Sequence, residues 1–182
     1  MKLYTRLFSL VAMAAVLPVA SAQMSGMHHG NKPLLSPAAT AQVHLTAGDV
    51  HISYNSPRMR GRKIFGGLVP YGKVWRTGAN PATTLKTATA LKIGSANVPA
   101  GTYTLYTLPS EGTWKLIINK QTGQWGTVYN QSRDLARVEM HKKMLSSPQQ
   151  DMSISFENTN GNHTQLHVRW AKTDVWVPVV AQ

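Results

Sequence analysis

"DMSISFENTNGNHTQLHVRWAKTDVWVPVV", residues 151 to 180, alternates apolar and polar side chains in three runs separated by turn residues. Met152, Ile154 and Phe156 make one apolar row, Leu166, Val168 and Trp170 a second, and Val175 and Val177 a third. A period of two puts each row on one face of a β-strand. Asn160-Gly161 resembles a two-residue hairpin turn, but that register sets Phe156 opposite Gln165 and mixes core with surface. A three-residue loop, Asn160 to Asn162, instead pairs Phe156 with Leu166, Ile154 with Val168 and Met152 with Trp170. A slip of one residue inverts every side chain, so the longer loop is predicted. A further hairpin around Ala171-Lys172 then pairs Val168 with Val175 and Leu166 with Val177. The same parity places Arg169 beside Asp174 and His167 beside Trp176 on the opposite face.

The pattern extends outward. Val43 and Leu45 alternate with Val50, Ile52 and Tyr54 around an expected Ala47-Gly48 turn, which pairs Leu45 with Val50 and His44 with His51. Tyr103, Leu105 and Thr107 share a side with Trp114, Leu116 and Ile118 if Pro109 to Gly112 is a four-residue loop. No amphipathic helix of ordinary length is present. Short strands with Gly, Pro and Asn between them predict an all-β protein, a single antiparallel β-sandwich domain of jelly-roll-like or Greek-key type over residues 38–182.

Lys2 and Arg6, the apolar run Leu7 to Ala20 and the A-x-A pattern Ala20 to Ala22 read as a signal peptide over residues 1–22. The run is short for a membrane span, which needs about 20 residues. Cleavage after Ala22 would release a periplasmic or secreted chain with no transmembrane segment. Residues 23–37 are small, polar and unpatterned, and read as a flexible N-terminal tail. The chain is cysteine-free; that excludes disulfides, thiol catalysis and Cys-based zinc sites. Nineteen Lys and Arg against seven Asp and Glu give a formal charge of +12. Such a basic protein favours anionic small molecules, glycans or headgroups. Export and the lack of any nucleic-acid motif argue against nucleic acid as a partner.

Few residues offer catalysis. The acids Asp49, Glu111, Asp134, Glu139, Asp151, Glu157 and Asp174 are scattered, without the carboxylate pair that glycosidases use. Ser155, His167 and Asp174 share a strand face, but no sharp turn or oxyanion donors accompany them, so an ordinary polar face is expected. His163 and His167 lie about 13 Å apart on a strand and cannot share a metal. His44 opposite His51 would supply two ligands without a third. The one cofactor candidate is copper, through Met24, Met27, His28 and His29, since thioether and imidazole suit copper.

Binding chemistry concentrates further along. "RMRGRK" carries Arg58, Arg60, Arg62 and Lys63 in six residues, and "VPYGKVWRTGAN" follows at 69–80. Guanidinium groups recognise carboxylate, sulfate or phosphate by paired hydrogen bonds. In the second stretch Pro70 and Gly72 set turns, and Val74 or Trp75 anchors an arch on the sandwich. Arg76 then faces a cleft beside Tyr71 unless an acid reaches it. The candidate ligand-binding set is Arg58, Arg60, Arg62, Lys63, Tyr71, Arg76 and Asn80.

"GRKIFGGLVPYGKVWRTGANPATT", "VPAGTYTLYTLP", "WKLIINKQTGQWG" and "ISFEN" together resemble a bacterial family of exported, β-rich proteins known only as a domain of unknown function. The resemblance runs from about Ser36 to Val179. It implies a single β-rich exported domain and brings no activity, ligand or catalytic residue. The residues themselves favour a non-catalytic binding module for an anionic ligand, glycan or envelope component. The alternatives are an enzyme of unrecognised type using Tyr71, Arg76 and Asn80, and copper binding through the Met/His cluster.

Overall fold

A computed structural model describes residues 35–182. The expected signal peptide, most of the expected tail and the Met24, Met27, His28 and His29 cluster lie outside the described residues. The described chain is all-β: β1 (Ala38–Leu45), β2 (Gly48–Asn55), β3 (Thr83–Thr87), β4 (Leu91–Ile93), β5 (Ala96–Val98), β6 (Gly101–Leu108), β7 (Trp114–Asn119), β8 (Asp134–Asn160) and β9 (His163–Ala181). A 3₁₀ turn, Gln131–Arg133, precedes β8. The strands form one antiparallel sheet in the order β1-β2-β3-β6-β7-β8-β9-β4-β5, which is not closed into a barrel. No helix among the described residues is long and apolar enough to cross a membrane.

The predicted pairings Ile154–Val168 and Phe156–Leu166 are present. The turn itself is shorter than expected: Asn160 pairs with His163, leaving Gly161 and Asn162 at the tip. An irregularity between Glu157 and Asn160, where Asn158 has φ 52°, absorbs the extra residue as a bulge and preserves the parity.

β9 is not straight. Residues 167 and 174 of an extended strand would stand roughly 23 Å apart, yet His167 Nδ1 lies 2.8 Å from Asp174 Oδ1. Arg169 Nε donates to Asp174 Oδ2 at 2.9 Å, and the rings of His167 and Trp176 stack at 5.5 Å. β9 therefore bends sharply at Ala171, whose φ is 51°, while remaining one strand paired with β8. The side chains of Arg169 and His167 thus meet Asp174 and Trp176 as expected, but the Ala171-Lys172 hairpin does not form: Val168 pairs with Ile154 and Val175 with Lys142, both on β8. β8 passes the same bend between Met144 and Gln149, pairing Lys143 with Asp174 before it and Ser153 with Arg169 after it.

Two other expectations need correction. β1 and β2 turn at Thr46-Ala47, so Val43 pairs with Val50, His44 with Asp49 and Gln42 with His51. Thr46 N–H donates to Gly161 O and Ala47 N–H to Asn162 Oδ1, which pins this tip to the β8–β9 turn. The shift is even, so the apolar face survives, but the His44–His51 pair does not form. His44 bonds Asp49 at 2.6 Å and His51 bonds Gln42 at 2.8 Å. Between β6 and β7, Leu105 pairs with Ile118 and Thr107 with Leu116. That loop is longer than four residues, again by an even step.

One main core draws on both ends of the sheet, joining Ile52, Leu85, Leu105 and Leu116 to Ile154, Val168, Val177 and Ile93. Tyr54 Oη on β2 accepts from Ile154 N–H on β8 at 3.1 Å, a bond across the sandwich interior. Phe156, expected in the core, is only partly buried and packs at its margin. At one end of the core sits an aromatic cluster. Phe65 meets Trp114 edge-on at 4.6 Å and Trp75 at 5.8 Å, while Trp75 stacks on Trp170 at 5.8 Å.

Candidate anion-binding cleft

The arch is fastened to the end of β6. Trp75 and Thr107 exchange both backbone hydrogen bonds, at 2.8 and 2.9 Å, and Gly72 N–H donates to Pro109 O. The stack on Trp170 fixes Trp75 from below. Thr77 is fully buried with φ 52°, an uncommon backbone for a β-branched residue. Its hydroxyl donates to Thr107 Oγ1 at 3.2 Å, and Thr83 Oγ1 donates to Thr77 O at 2.9 Å, which holds that conformation. Asn80, also at positive φ (58°), accepts from Gly126 N–H at 3.1 Å and so docks the segment after β7 on the arch. Only glycine fits at 126: a Cβ there would lie 2.2 Å from Arg76 Cδ and 2.7 Å from Asn80 O.

Between the arch, the "RMRGRK" loop and this segment opens a cleft of about 540 Å³. Arg60, Arg62, Lys73 and Arg76 line it together with Asn80; Trp75, Trp170, Val74, Tyr106 and Tyr129 supply its aromatic and apolar wall. No Asp, Glu or His is among the lining residues. The three arginines bond backbone carbonyls. Arg60 Nη2 donates to Leu35 O at 2.8 Å, Arg62 donates to Met59 O and Arg58 O, and Arg76 Nε reaches Gly78 O at 3.4 Å. Charge in the cleft is thus left uncompensated by carboxylates.

Of the sequence candidates, Arg60, Arg62, Arg76 and Asn80 meet at the cleft. Arg58 is diverted, its guanidinium bonding Asp151 at 2.6 and 3.2 Å, which holds the guanidinium above its ordinary range. Lys63 and Tyr71 lie outside the lining; the Tyr71 ring packs at Gly66. Lys73, Tyr106, Tyr129 and Trp170 were not anticipated. One signal was available for Tyr106. It and Ile117 are apolar residues on the reverse face of β6 and β7, and both are buried with Ala82 in a second small core. Strands apolar on both faces must be covered on both, here by the segment after β7.

The phenols are not poised for proton transfer. Tyr129 Oη donates to Asp134 at 2.6 Å; burial first, then that bond, pushes its pKa up to about 12. Tyr106 Oη donates to Val128 O at 2.8 Å, and burial raises its pKa as well. The arrangement suits recognition of an anion.

The C-terminal sheet face carries the other dense polar group. Ser155 Oγ donates to Glu157 Oε1 at 2.8 Å instead of bonding His167, and His167 Nε2 faces Gln165 Oε1 at 3.2 Å. Arg169 joins Glu157 to the buried Asp174. Ser155, His167 and Asp174 therefore share a face without forming a catalytic relay, and no set of three His, Asp or Glu that could hold a metal ion occurs among the described residues. The Arg169 hydrogen bond lowers the Glu157 pKa from an ordinary 4.5 to about 2. A depressed carboxylate stabilises the fold above its unfolded pKa, and that contribution fades as pH falls through the folded value. Thermal midpoints should therefore drop between pH 4.5 and about 2. Glu157→Gln should flatten that part of the profile; an unchanged slope would show the pair to be neutral.

A family model described as "Protein of unknown function (DUF2911)" matches residues 36–179. The chain belongs to this family. The match spans all of β1 to β8 and β9 as far as Val179, so the whole cleft except Leu35 falls within the family region. No curated protein and no solved structure matches the chain.

Proposed function

We propose that this family member is a non-catalytic binding module for an anionic ligand, taken into the cleft between the arch and the "RMRGRK" loop. The observation that carries the reading is the lining itself: Arg60, Arg62, Lys73 and Arg76 with no carboxylate among them. A volume of about 540 Å³ lies in the range of small-molecule sites. The neighbouring aromatic wall suits a ligand with an anionic group and a flat or apolar body, such as a phosphorylated or sulfated sugar. An exported location, read from Lys2 to Ala22, would put the module against envelope components.

Calorimetry against phosphate esters and sulfated glycans tests the reading. Arg76→Ala should weaken binding roughly 10- to 100-fold, the range for losing a charge-assisted hydrogen bond. Arg76→Lys should restore only part of it, because a point charge lacks the paired donors. The thermal midpoint should stay near wild type in both. If wild type binds none of these ligands, or Arg76→Ala binds like wild type, the reading fails.

A further inference from the structure

Among the described residues the large exposed apolar side chains are Leu35, Leu68, Tyr71, Trp125, Val128 and Met144. All but Met144 line the cationic cleft or lie next to its lining residues in sequence. Leu35 and Leu68 line it, and Tyr71 stands between the lining residues Pro70 and Lys73. Trp125 and Val128 flank the lining residues Gly126, Thr127 and Tyr129 on the other side. Trp125 is 54% exposed, Val128 51% and Leu68 49%. Exposed apolar residues thus line the cationic cleft or adjoin its lining from two stretches of chain, here called its lips. Scattered exposed apolar residues need no explanation, but a cluster around a charged cleft does.

We infer that the cleft is a docking site for a bilayer carrying anionic phosphate headgroups, with one headgroup among Arg60, Arg62, Lys73 and Arg76 and the lips at interface depth. Leucine and tryptophan favour the headgroup boundary, and basic residues beside them are drawn to anionic leaflets. A soluble sugar phosphate would use the cations but leave Trp125, Val128 and Leu68 in water. A bilayer uses both features. Charge complementarity also disfavours a second copy of the chain as the occupant, since this face is basic on both copies. The inference rests on the proposed anion-binding reading and extends it to the source of the anion.

Sedimentation with vesicles of phosphatidylcholine alone, or mixed with phosphatidylglycerol, tests it beside calorimetry with soluble glycerol phosphate. Wild type should partition onto the mixed vesicles and not onto phosphatidylcholine alone. Leu68→Ser combined with Trp125→Ser should lower partitioning about tenfold or more while glycerol phosphate still binds. Arg76→Ala should lose both, and Met144→Ser neither. Thermal midpoints near wild type show that the variants are folded. If glycerol phosphate binds through Arg76 but vesicles recruit no protein, the bilayer inference is overturned and the anion site stands. Equal partitioning of the double serine variant also overturns it, because net charge alone then suffices. A dimer dispersed by the serine substitutions, without vesicle binding, would assign the lips to a second copy. Failure to bind either probe removes both readings.

Discussion

Trp170→Ala should destabilise the protein by about 3–5 kcal/mol, the range for removing a buried large aromatic side chain. Trp170 is 1% exposed, stacks on Trp75 and meets Phe65 edge-on at 6.1 Å. Its indole N–H also donates to Gln150 O at 3.1 Å, so alanine leaves that carbonyl short of a donor as well as opening a cavity. The surrounding rings belong to separate segments, with Phe65 and Trp75 before β3 and Trp114 on β7, so they cannot collapse together to fill the space. Because Trp75 anchors the arch, the substitution should also loosen the cleft. Urea unfolding measures the first effect, and anion affinity at a temperature where the variant is still folded measures the second. A loss below about 1 kcal/mol would mean the aromatic cluster repacks freely, contrary to the close-packed arrangement expected of cores.

Asp174→Ala should cost about 3 kcal/mol, the lower end for breaking a buried ion pair from one side. Asp174 is completely buried and faces His167, Arg169 and Lys143. Its removal strands those donors unequally. Arg169 keeps Glu157, and Lys143 is 54% exposed and can turn to water. His167, nearly buried, retains Gln165, Arg169 Nη2 at 3.3 Å and the more distant Glu157. Asp174→Asn preserves shape and one acceptor and should lose less. If the alanine variant unfolds at the same urea concentration as wild type, the network contributes polar cover for the sheet and little else. Neither substitution at Asp174 should change anion affinity, since the cleft lining contains none of these residues.

What the sequence revealed depended on whether parity or length was at stake. The pairing of Ile154 with Val168 could be read because an error of one residue would have buried Gln165. Errors of two residues leave the same faces buried, so the turns after Leu45 and after Leu108 were each misplaced by an even step. The first half of β8 went unread: Val138 and Met140 are buried there, but Lys142, Lys143, Ser146 and Ser147 soon dilute the pattern. In the cleft, Arg60, Arg62, Arg76 and Asn80 were legible as charge and turn chemistry without nearby acids. Arg58 was not separable from them, because its partner Asp151 lies 93 residues away in sequence. Tyr129 joins only once the segment after β7 docks on Asn80, a contact with no local signature.

The place of β9 in the strand order governs when this protein can fold. β9 lies between β8 and the β4–β5 pair, and β4 joins the sheet through its far end, where Leu91 pairs with Ala181. It also follows every other described strand in the chain. Until Thr173 to Ala181 have emerged, β4 and β5 have no sheet to join and Val175, Val177 and Val179 are missing from the core. An emerging chain is thus held short of its native topology until synthesis has passed residue 181. Contacts between segments so distant in sequence are slow to form in any case. A chain that stops short of β9 therefore leaves β4 and β5 without the strand that ties them to the sheet.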